Sequence, residues 1–157
     1  MVHSQLREAP VANLRDTPRI LQPESYKQRI RGMWEGRGAD YDSSDTFHRS
    51  LAEQLVDRAG LQAGHTVLDL ATGTGMVALP AAEKVGSEGR VVALDISTSM
   101  LSEAQKKAAA SNLSNLEFLL LDAETAEFPE GTFDRLLCSS GMLYLQHIGA
   151  AVHRFHS

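Results

Sequence analysis

The stretch VLDLATGTG, residues 67–75, decides the fold of this 157-residue chain. It reads as a short apolar strand interrupted by Asp69 and followed at once by a turn that contains Gly73 and Gly75. Glycine has no Cβ, so such a turn bends sharply and lets the backbone approach a ligand closely. Strand, glycine-rich turn and helix in this order are typical of the first βα turn of a nucleotide-binding sheet.

Strand and helix patterns alternate downstream of this turn. Strands are predicted at residues 67–70, 91–94, 116–121 and 133–138, and helices at 76–85, 98–111 and from Leu143 onward. Such alternation predicts right-handed βαβ units and a parallel sheet. The strands are apolar throughout rather than at every second position, which is typical of a sheet covered on both faces. Pro80 is compatible with the first of these helices, because the N–H it lacks lies among those without an intrahelical partner.

The chain upstream of the turn is expected to form an arm and a lid. Residues 1–23 contain three prolines and no sustained period, which favours a flexible N-terminal arm. Residues 24–157 are interpreted as a single domain. Within it, residues 24–60 form a helical lid and residues 61–157 form the cofactor-binding core.

Two helices and a loop are predicted within the lid. The first helix covers residues 24–34, and the segment 36–45, rich in Gly, Asp and Ser, is expected to be a hinge or loop. The second helix runs from Thr46 to a stop at Gly60, with Ser44 or Asp45 as its cap. The apolar residues that recur every fourth position are Tyr26, Ile30 and Trp34 in the first helix and Phe47, Leu51, Leu55 and Ala59 in the second.

Composition narrows the class of protein. The net charge of −5 argues against a nucleic-acid partner, because such binding depends on cationic side chains. No apolar run reaches the ~18 residues of a membrane span. The single cysteine, Cys138, cannot form an intramolecular disulfide and suits a reducing compartment, so a cytoplasmic location is expected. No metal site is predicted, since His147, His153 and His156 have no coherent ligand set around them.

Acids end two further strands of the predicted sheet. Asp95 follows the second strand, 20 residues after Gly75, where a carboxylate can accept hydrogen bonds from ribose hydroxyls. Asp122 ends the third strand, where it can receive an adenine amino group while Ala123 offers the ring a backbone N–H. A carboxylate beside the glycine loop disfavours a diphosphate and favours an ammonium or sulfonium group. The pattern therefore predicts a positively charged nucleoside.

Three alternatives stay open on the residues alone. Asp69 can be a structural acid that caps N–H groups of the loop, and Asp122 can be a helix N-cap. The segment GTGMVA also fits the pattern G-x-G-x-x-A, so a nicotinamide-dependent oxidoreductase is the third alternative.

Four motifs in the expected order resemble the core of class I S-adenosylmethionine-dependent methyltransferases. They lie in VLDLATGTGMVAL, VVALDISTSMLSEAQKK and FLLLDAETAEFPEGTFDRLLCSSGML. The upstream MWEGRGADYDSSDTFHRSLAEQL is similar too, where such enzymes carry A-x-x-Y-D. The likeness covers about residues 28–145, and it is strongest to the ubiquinone/menaquinone-biosynthesis C-methyltransferase type.

The resemblance implies S-adenosylmethionine as cofactor and a role for each motif. Asp69 and the loop would hold its methionine part, Asp95 its ribose, and Ile96 with Met100 the faces of its adenine. Tyr41 and Trp34 would cover it. The implied contacts are Asp69, Ala71, Thr72, Gly73, Thr74, Gly75, Asp95, Ile96, Met100, Asp122, Ala123, Ser139, Tyr41 and Trp34.

The resemblance also implies an α/β, Rossmann-like fold of three layers. Its parallel sheet would have the order 3-2-1-4 here and lack strands five to seven of the family's sheet. An exposed edge at strand four then predicts a homodimer, formed along that edge or by N-terminal segments.

The expected activity is methyl transfer to a small-molecule acceptor. Where the nucleophile keeps its proton, His147, Tyr41 and Tyr144 are the candidates for the base. The alternatives are a cyclase or isomerase that keeps the cofactor, a regulatory partner, and an inactive shortened product.

Overall fold

The structure is a computed structural model that describes residues 23–42, 46–147 and 149. The predicted arm over residues 1–23 lies outside these residues except for Pro23, which begins the first helix. The described chain forms one sheet of four parallel strands in the order β3-β2-β1-β4, which confirms the predicted architecture. The strands are β1 (Thr66–Leu70), β2 (Arg90–Asp95), β3 (Leu116–Leu120) and β4 (Arg135–Leu137).

Within the described residues, five α-helices and one 3-10 helix accompany the sheet. They are α1 (Pro23–Trp34), α2 (Gly38–Tyr41), α3 (Thr46–Arg58), α4 (Ala78–Val85), α5 (Thr98–Ala110) and the 3-10 helix Ser140–Tyr144. Helix α4 begins two residues later than predicted. Pro80 is therefore its third residue, where a missing N–H breaks no helical hydrogen bond.

The loop predicted for residues 36–45 is partly helical instead. Helix α2 occupies Gly38–Tyr41 and packs against α5. The reason is a close approach: a Cβ at Gly38 would lie 2.3 Å from the carbonyl oxygen of Ser99. Only glycine allows this contact, and sequence composition does not show it. Residues 43–45 of the predicted loop, including both candidate caps of α3, lie outside the described residues.

The helix predicted from Leu143 onward is wrong over residues 145–147, although Gly149 is helical. The 3-10 helix ends at Tyr144, Leu145 is extended, and residues 145–147 are not helical. This 3-10 helix lies close to the glycine loop, since a Cβ at Gly141 would meet the Cβ of Ala71 at 2.4 Å.

The two central strands are buried on both faces, as predicted. Val67 on one face of the sheet packs with residues of α3 and α4, among them Val56 and Ala81. Leu68 on the other face packs with Ala123 and other residues of the segment that follows β3. Full burial of each such aliphatic side chain stabilises the fold by about 1.5–3 kcal/mol. The packed core on both faces therefore fixes the strand ends that lie near the glycine loop.

The predicted apolar stripe of α3 is partly wrong. Phe47 and Leu51 are exposed, whereas Ala52 and Val56 are buried. The face that meets α4 is thus turned by about one residue toward the C-terminus. Across the part of the chain that the structure covers, no helix has both the length and the apolarity to cross a lipid bilayer.

Candidate functional site

The glycine loop that follows β1 turns through left-handed backbone conformations. The φ angles are 52° at Ala71, 56° at Gly73 and 84° at Gly75. A Cβ at Gly75 would lie 2.3 Å from Leu79 Cδ1, so this glycine lets the start of α4 pack closely. A Cβ at Gly73 would meet nothing within 4 Å, so the backbone there borders open space. The two glycines therefore serve different purposes, helix packing and a bare surface.

Asp69 lies beneath this loop and holds it. Its carboxylate accepts a 2.6 Å hydrogen bond from Thr72 Oγ1 and another from the backbone N–H of Ala78. The side chain is fully buried, and burial raises the pKa of Asp69 to about 7; the nearby charge of Asp95 adds to the rise, while both hydrogen bonds oppose it. These contacts match the alternative in which Asp69 is a structural acid that fixes the loop.

Asp95, at the end of β2, joins the loop to the start of α5. Its two carboxylate oxygens accept hydrogen bonds from the backbone N–H groups of Gly73 and Ser97, each at 2.9 Å. Burial raises the pKa of Asp95, although these N–H groups favour its charged form. Ser97 in turn caps α5 through Met100. A carboxylate offers about four acceptor positions, so Asp95 keeps capacity for a ligand.

Asp122, just after β3, is engaged by a lysine that the sequence interpretation missed. Lys27 Nζ on α1 lies 2.9 Å from Asp122 Oδ1 and also pairs with Glu124. The same Asp122 oxygen accepts from the backbone N–H of Glu124 at 2.9 Å, in the manner of a turn cap. Burial lowers the pKa of Lys27, but its bonds to the two acids raise it by more. Lys27 could have been predicted at the site, because residues 27, 30 and 34 lie on one face of a helix.

These groups line one open cleft of about 1070 Å³, counting the space at its mouth. It lies at the carboxyl ends of the strands, where ligands of open α/β sheets bind. Of the predicted site residues, the structure brings together Asp69, Ala71, Thr72, Gly73, Thr74, Asp95, Ile96, Met100, Asp122, Ala123, Ser139, Trp34, Tyr41 and Tyr144. Gly75 and His147 are not among the lining residues.

Aromatic rings form the wall opposite the glycine loop. Trp34 meets Tyr41 and Tyr144 edge-on, with ring centroids 5.5 Å apart in both pairs. His48 on α3 lies 6.2 Å from the ring of Tyr41 and also lines the cleft. His48 was not predicted at the site, because the apolar stripe predicted for α3 contains its neighbour Phe47 instead.

The candidate base His147 is not among the residues that line the cleft, and Cys138 lies near Asp69. His147 donates its backbone N–H to the carboxylate of Glu124. Burial raises the pKa of the Cys138 thiol to about 12, so this side chain is neutral. Over the residues that the structure describes, no three His, Cys, Asp or Glu side chains are grouped so as to hold a metal ion.

The fold and this cleft define a class of protein, and comparison with known proteins identifies it. Residues 67–157 match the family described as "Methyltransferase domain". The chain belongs to this family, which confirms the resemblance found in its motifs.

Among similar curated proteins, aklanonic acid methyltransferase DauC of Streptomyces sp. (strain C5) is 35% identical over 136 residues. The match covers 86% of this chain and 62% of that protein. The ubiquinone/menaquinone biosynthesis C-methyltransferase UbiE of Francisella philomiragia is 34% identical over 125 residues, covering 76% of this chain and 50% of that protein. The chain thus spans about half to three fifths of these relatives.

A solved S-adenosylmethionine-dependent methyltransferase from Aquifex aeolicus has the same architecture. It superposes with a TM-score of 0.64 and 25% identity, over 74% of this chain and 65% of that one. The four-stranded sheet and the loop after β1 therefore belong to a known methyltransferase architecture.

Proposed function

We propose that this chain binds S-adenosylmethionine in the cleft and transfers its methyl group to a small-molecule acceptor. The observation that carries the proposal is the convergence of Asp95, Asp122 and the bare backbone at Gly73 on one cleft at the strand ends. Membership of the methyltransferase domain family supports it. Residues 24–60 would act as the lid and residues 61–157 as the core.

The residues present fit an adenosyl cofactor. Asp95 would accept from the ribose hydroxyls, because its hydrogen bonds from the backbone N–H groups of Gly73, Ile96 and Ser97 do not use all of its lone pairs. Ile96 and Met100 would flank the adenine, and Asp122 with Ala123 would meet its edge. Lys27 also holds Asp122, so this lysine fixes the carboxylate that would meet the adenine.

The methionine part would lie along the loop itself. Asp69 is buried under the loop and bonded to Thr72, so we assign it to positioning rather than to direct contact. The backbone at residues 71–74 would face the ligand, and Ser139 also lines the cleft. Trp34 and Tyr41 would cover the cofactor from the lid.

Methyl transfer demands mainly alignment from the protein. The cofactor supplies a methyl group already activated by its sulfonium charge. Holding a nucleophile in line with that group is worth up to ~7–11 kcal/mol of the barrier. A proton acceptor is needed only where the nucleophile arrives protonated. His48, Tyr41 and Tyr144 line the cleft and are the candidates, whereas His147 lies elsewhere.

The aromatic wall suggests the acceptor class. Trp34, Tyr41 and Tyr144 present ring edges and faces around an apolar space that Leu143 and Ile30 extend. Aromatic pairs favour edge-to-face and offset contacts, so a flat, ring-containing acceptor fits this wall. The names of the relatives, which refer to aklanonic acid and to ubiquinone and menaquinone biosynthesis, are compatible with this proposal.

Calorimetry and a transfer assay test the proposal. We expect S-adenosylmethionine and S-adenosylhomocysteine to bind, and labelled methyl to appear on a member of a panel of phenols, quinols and amines. Binding without transfer to any acceptor would favour the cyclase, isomerase or regulatory alternative. Tight binding of NADH would favour an oxidoreductase. No binding of any of them would leave the inactive product as the interpretation.

We also propose that two copies pair along β4 in a cytoplasmic protein. In the part of the chain that the structure describes, β4 pairs with β1 alone. An unpaired strand edge offers backbone groups to a second chain. The N-terminal alternative for pairing falls on residues outside the described ones. Light scattering that gives a dimer mass supports the pairing, and a stable monomer contradicts it.

A further inference from the structure

Asp42 occupies a position that joins three elements. It follows directly after α2, and its backbone N–H donates to the carbonyl of Asp40. Its Oδ1 accepts a 2.5 Å hydrogen bond from Thr74 Oγ1, in the middle of the glycine loop. Its Oδ2 pairs with Lys107 Nζ on α5. One carboxylate therefore connects the end of α2, the loop after β1 and helix α5.

The burial of Thr74 indicates that its hydrogen bond to Asp42 constrains the lid. Its side chain is only 1% exposed, between Gly73 and Gly75, and its hydroxyl is turned toward the lid. A buried hydroxyl that loses its acceptor costs free energy, so the bond to Asp42 favours one placement of the lid. The loop and the lid are thus joined through this hydrogen bond.

The contact between Asp42 and Thr74 also bears on the position of Tyr41. Tyr41 precedes Asp42, lines the cleft and meets Trp34 edge-on at 5.5 Å. The other end of α2 is fixed where Gly38 approaches Ser99 on α5. With both ends of a four-residue helix held, the ring of Tyr41 has little freedom to leave the cleft. Asp42 itself is not among the residues that line the cleft.

We propose that Asp42 is a positioning residue that sets the Tyr41 ring over the cofactor cleft by fixing α2 to Thr74 and Lys107. The inference deepens the proposed function and rests on it. It assigns the acid after Tyr41 to coupling between the lid and the loop, without direct contact to cofactor or acceptor. It also gives the Thr74 hydroxyl a partner other than a ligand.

The test compares Asp42→Ala, Asp42→Asn and Lys107→Met with the matched control Lys106→Met. Lys106 lies beside Lys107 on α5, is 69% exposed and pairs only with Glu103 in the described contacts. The readouts are the emission of Trp34, the single tryptophan of the chain, and the affinity for S-adenosylhomocysteine. Circular dichroism checks that each variant is folded.

We expect a red shift of Trp34 emission in ligand-free Asp42→Ala, because Tyr41 leaves the ring exposed to water. Affinity for S-adenosylhomocysteine should fall about tenfold, because the lid loses the bond that holds it and the binding-competent placement becomes less populated. Asp42→Asn keeps an acceptor for Thr74 and should lie between Asp42→Ala and the parent. Lys107→Met should resemble Asp42→Asn, and Lys106→Met the parent.

Unchanged emission and unchanged affinity in folded Asp42→Ala overturn the inference, as does an equal effect of Lys106→Met. A parent chain that binds no S-adenosylhomocysteine contradicts the proposed function instead. The emission comparison needs no ligand, so it still decides whether Asp42 positions Tyr41. Should Asp42→Ala be unfolded, Asp42→Asn and Lys107→Met decide the same question by the same two readouts.

Discussion

Lys27 on α1 lies 2.9 Å from Asp122 at the end of β3, so the first helix of the lid is ion-paired to the core at the rim of the cleft. The lysine also pairs with Glu124, and both acids retain little exposure. The Lys27 cation and the backbone N–H groups of His147 and Gln146 stabilise the charged form of Glu124, so its pKa is lowered despite its burial. The same contact sets the position of Asp122.

Replacing Lys27 with methionine should destabilise the protein by about 1–2 kcal/mol, since it leaves two neighbouring carboxylates without their cation. In the parent, Glu124 contributes stability at pH values above its ordinary pKa, and this contribution disappears as the pH falls through its lowered pKa in the fold. The variant should lose this contribution as well. Urea unfolding at pH 4 and pH 7 measures both effects. Lys84→Met, which breaks an exposed pair with Asp57, is the control and should cost less than 1 kcal/mol by the typical value of about 0–1. Equal losses in the two variants would show that the Lys27 contact has no special weight.

Replacing Asp95 with alanine should weaken binding of S-adenosylhomocysteine at least about tenfold. It removes the proposed ribose acceptor and leaves the N–H groups of Gly73 and Ser97 without theirs, at a stability cost of about 1–3 kcal/mol. Asp95→Asn keeps one acceptor oxygen and should be intermediate. Calorimetry gives the affinities, and Asp57→Ala, on the exposed surface, serves as the charge-matched control. An affinity unchanged in Asp95→Ala is incompatible with the proposed pose.

Asp69 should make the protein less stable as the pH rises from about 4 to about 7. Its pKa is 3.8 in an unfolded chain and about 7 in the fold, so the folded state binds more protons across this interval. The stabilising effect is complete below pH 4, is lost as the pH passes through 7, and is at most about 4 kcal/mol.

Asp69→Asn should remove this slope while keeping an acceptor for Thr72. Unfolding free energies of the parent and the variant at pH 5, 6 and 8 isolate the contribution, because every other acid is common to both. Parallel curves would mean that Asp69 stays charged in the fold.

Two glycines of the lid should respond to alanine in opposite directions. Gly38→Ala places a Cβ 2.3 Å from the Ser99 carbonyl, a backbone atom that cannot give way, so α2 must shift at a cost of about 1–3 kcal/mol. Gly32→Ala, in an exposed turn of α1 with no neighbour within 4 Å, should stabilise the protein by about 0.5–1 kcal/mol. Thermal unfolding distinguishes the two. A loss in both variants would indicate that α1 is crowded at Gly32.

The sheet and the glycine loop were predictable because their signals are local. Short, mainly apolar runs define β1 and β2, and Gly73 with Gly75 defines the turn, independently of distant parts of the chain. Helix α2 was not predictable, since it depends on a contact between Gly38 and α5 that is distant in sequence.

Lys27 and His48 were missed for a related reason. Both flank apolar residues chosen at every fourth position, and a helical face includes residues three apart as well. Only the contacts of Lys27 with Asp122 and of His48 with Tyr41 show that these polar side chains turn toward the cleft. The same choice of spacing placed Phe47 and Leu51 on the packed face of α3, whereas both are exposed.

The neutral thiol of Cys138 has a practical consequence for spectroscopy of this chain. A thiol with a pKa of about 12 provides almost no thiolate at neutral pH, and the thiolate is the species that maleimides and iodoacetamides alkylate. A cysteine introduced on the surface of α1 and another on α5 would therefore react with fluorophores while Cys138 stays unlabelled. Distance measurements between such dyes could follow the lid against the core in the otherwise native sequence.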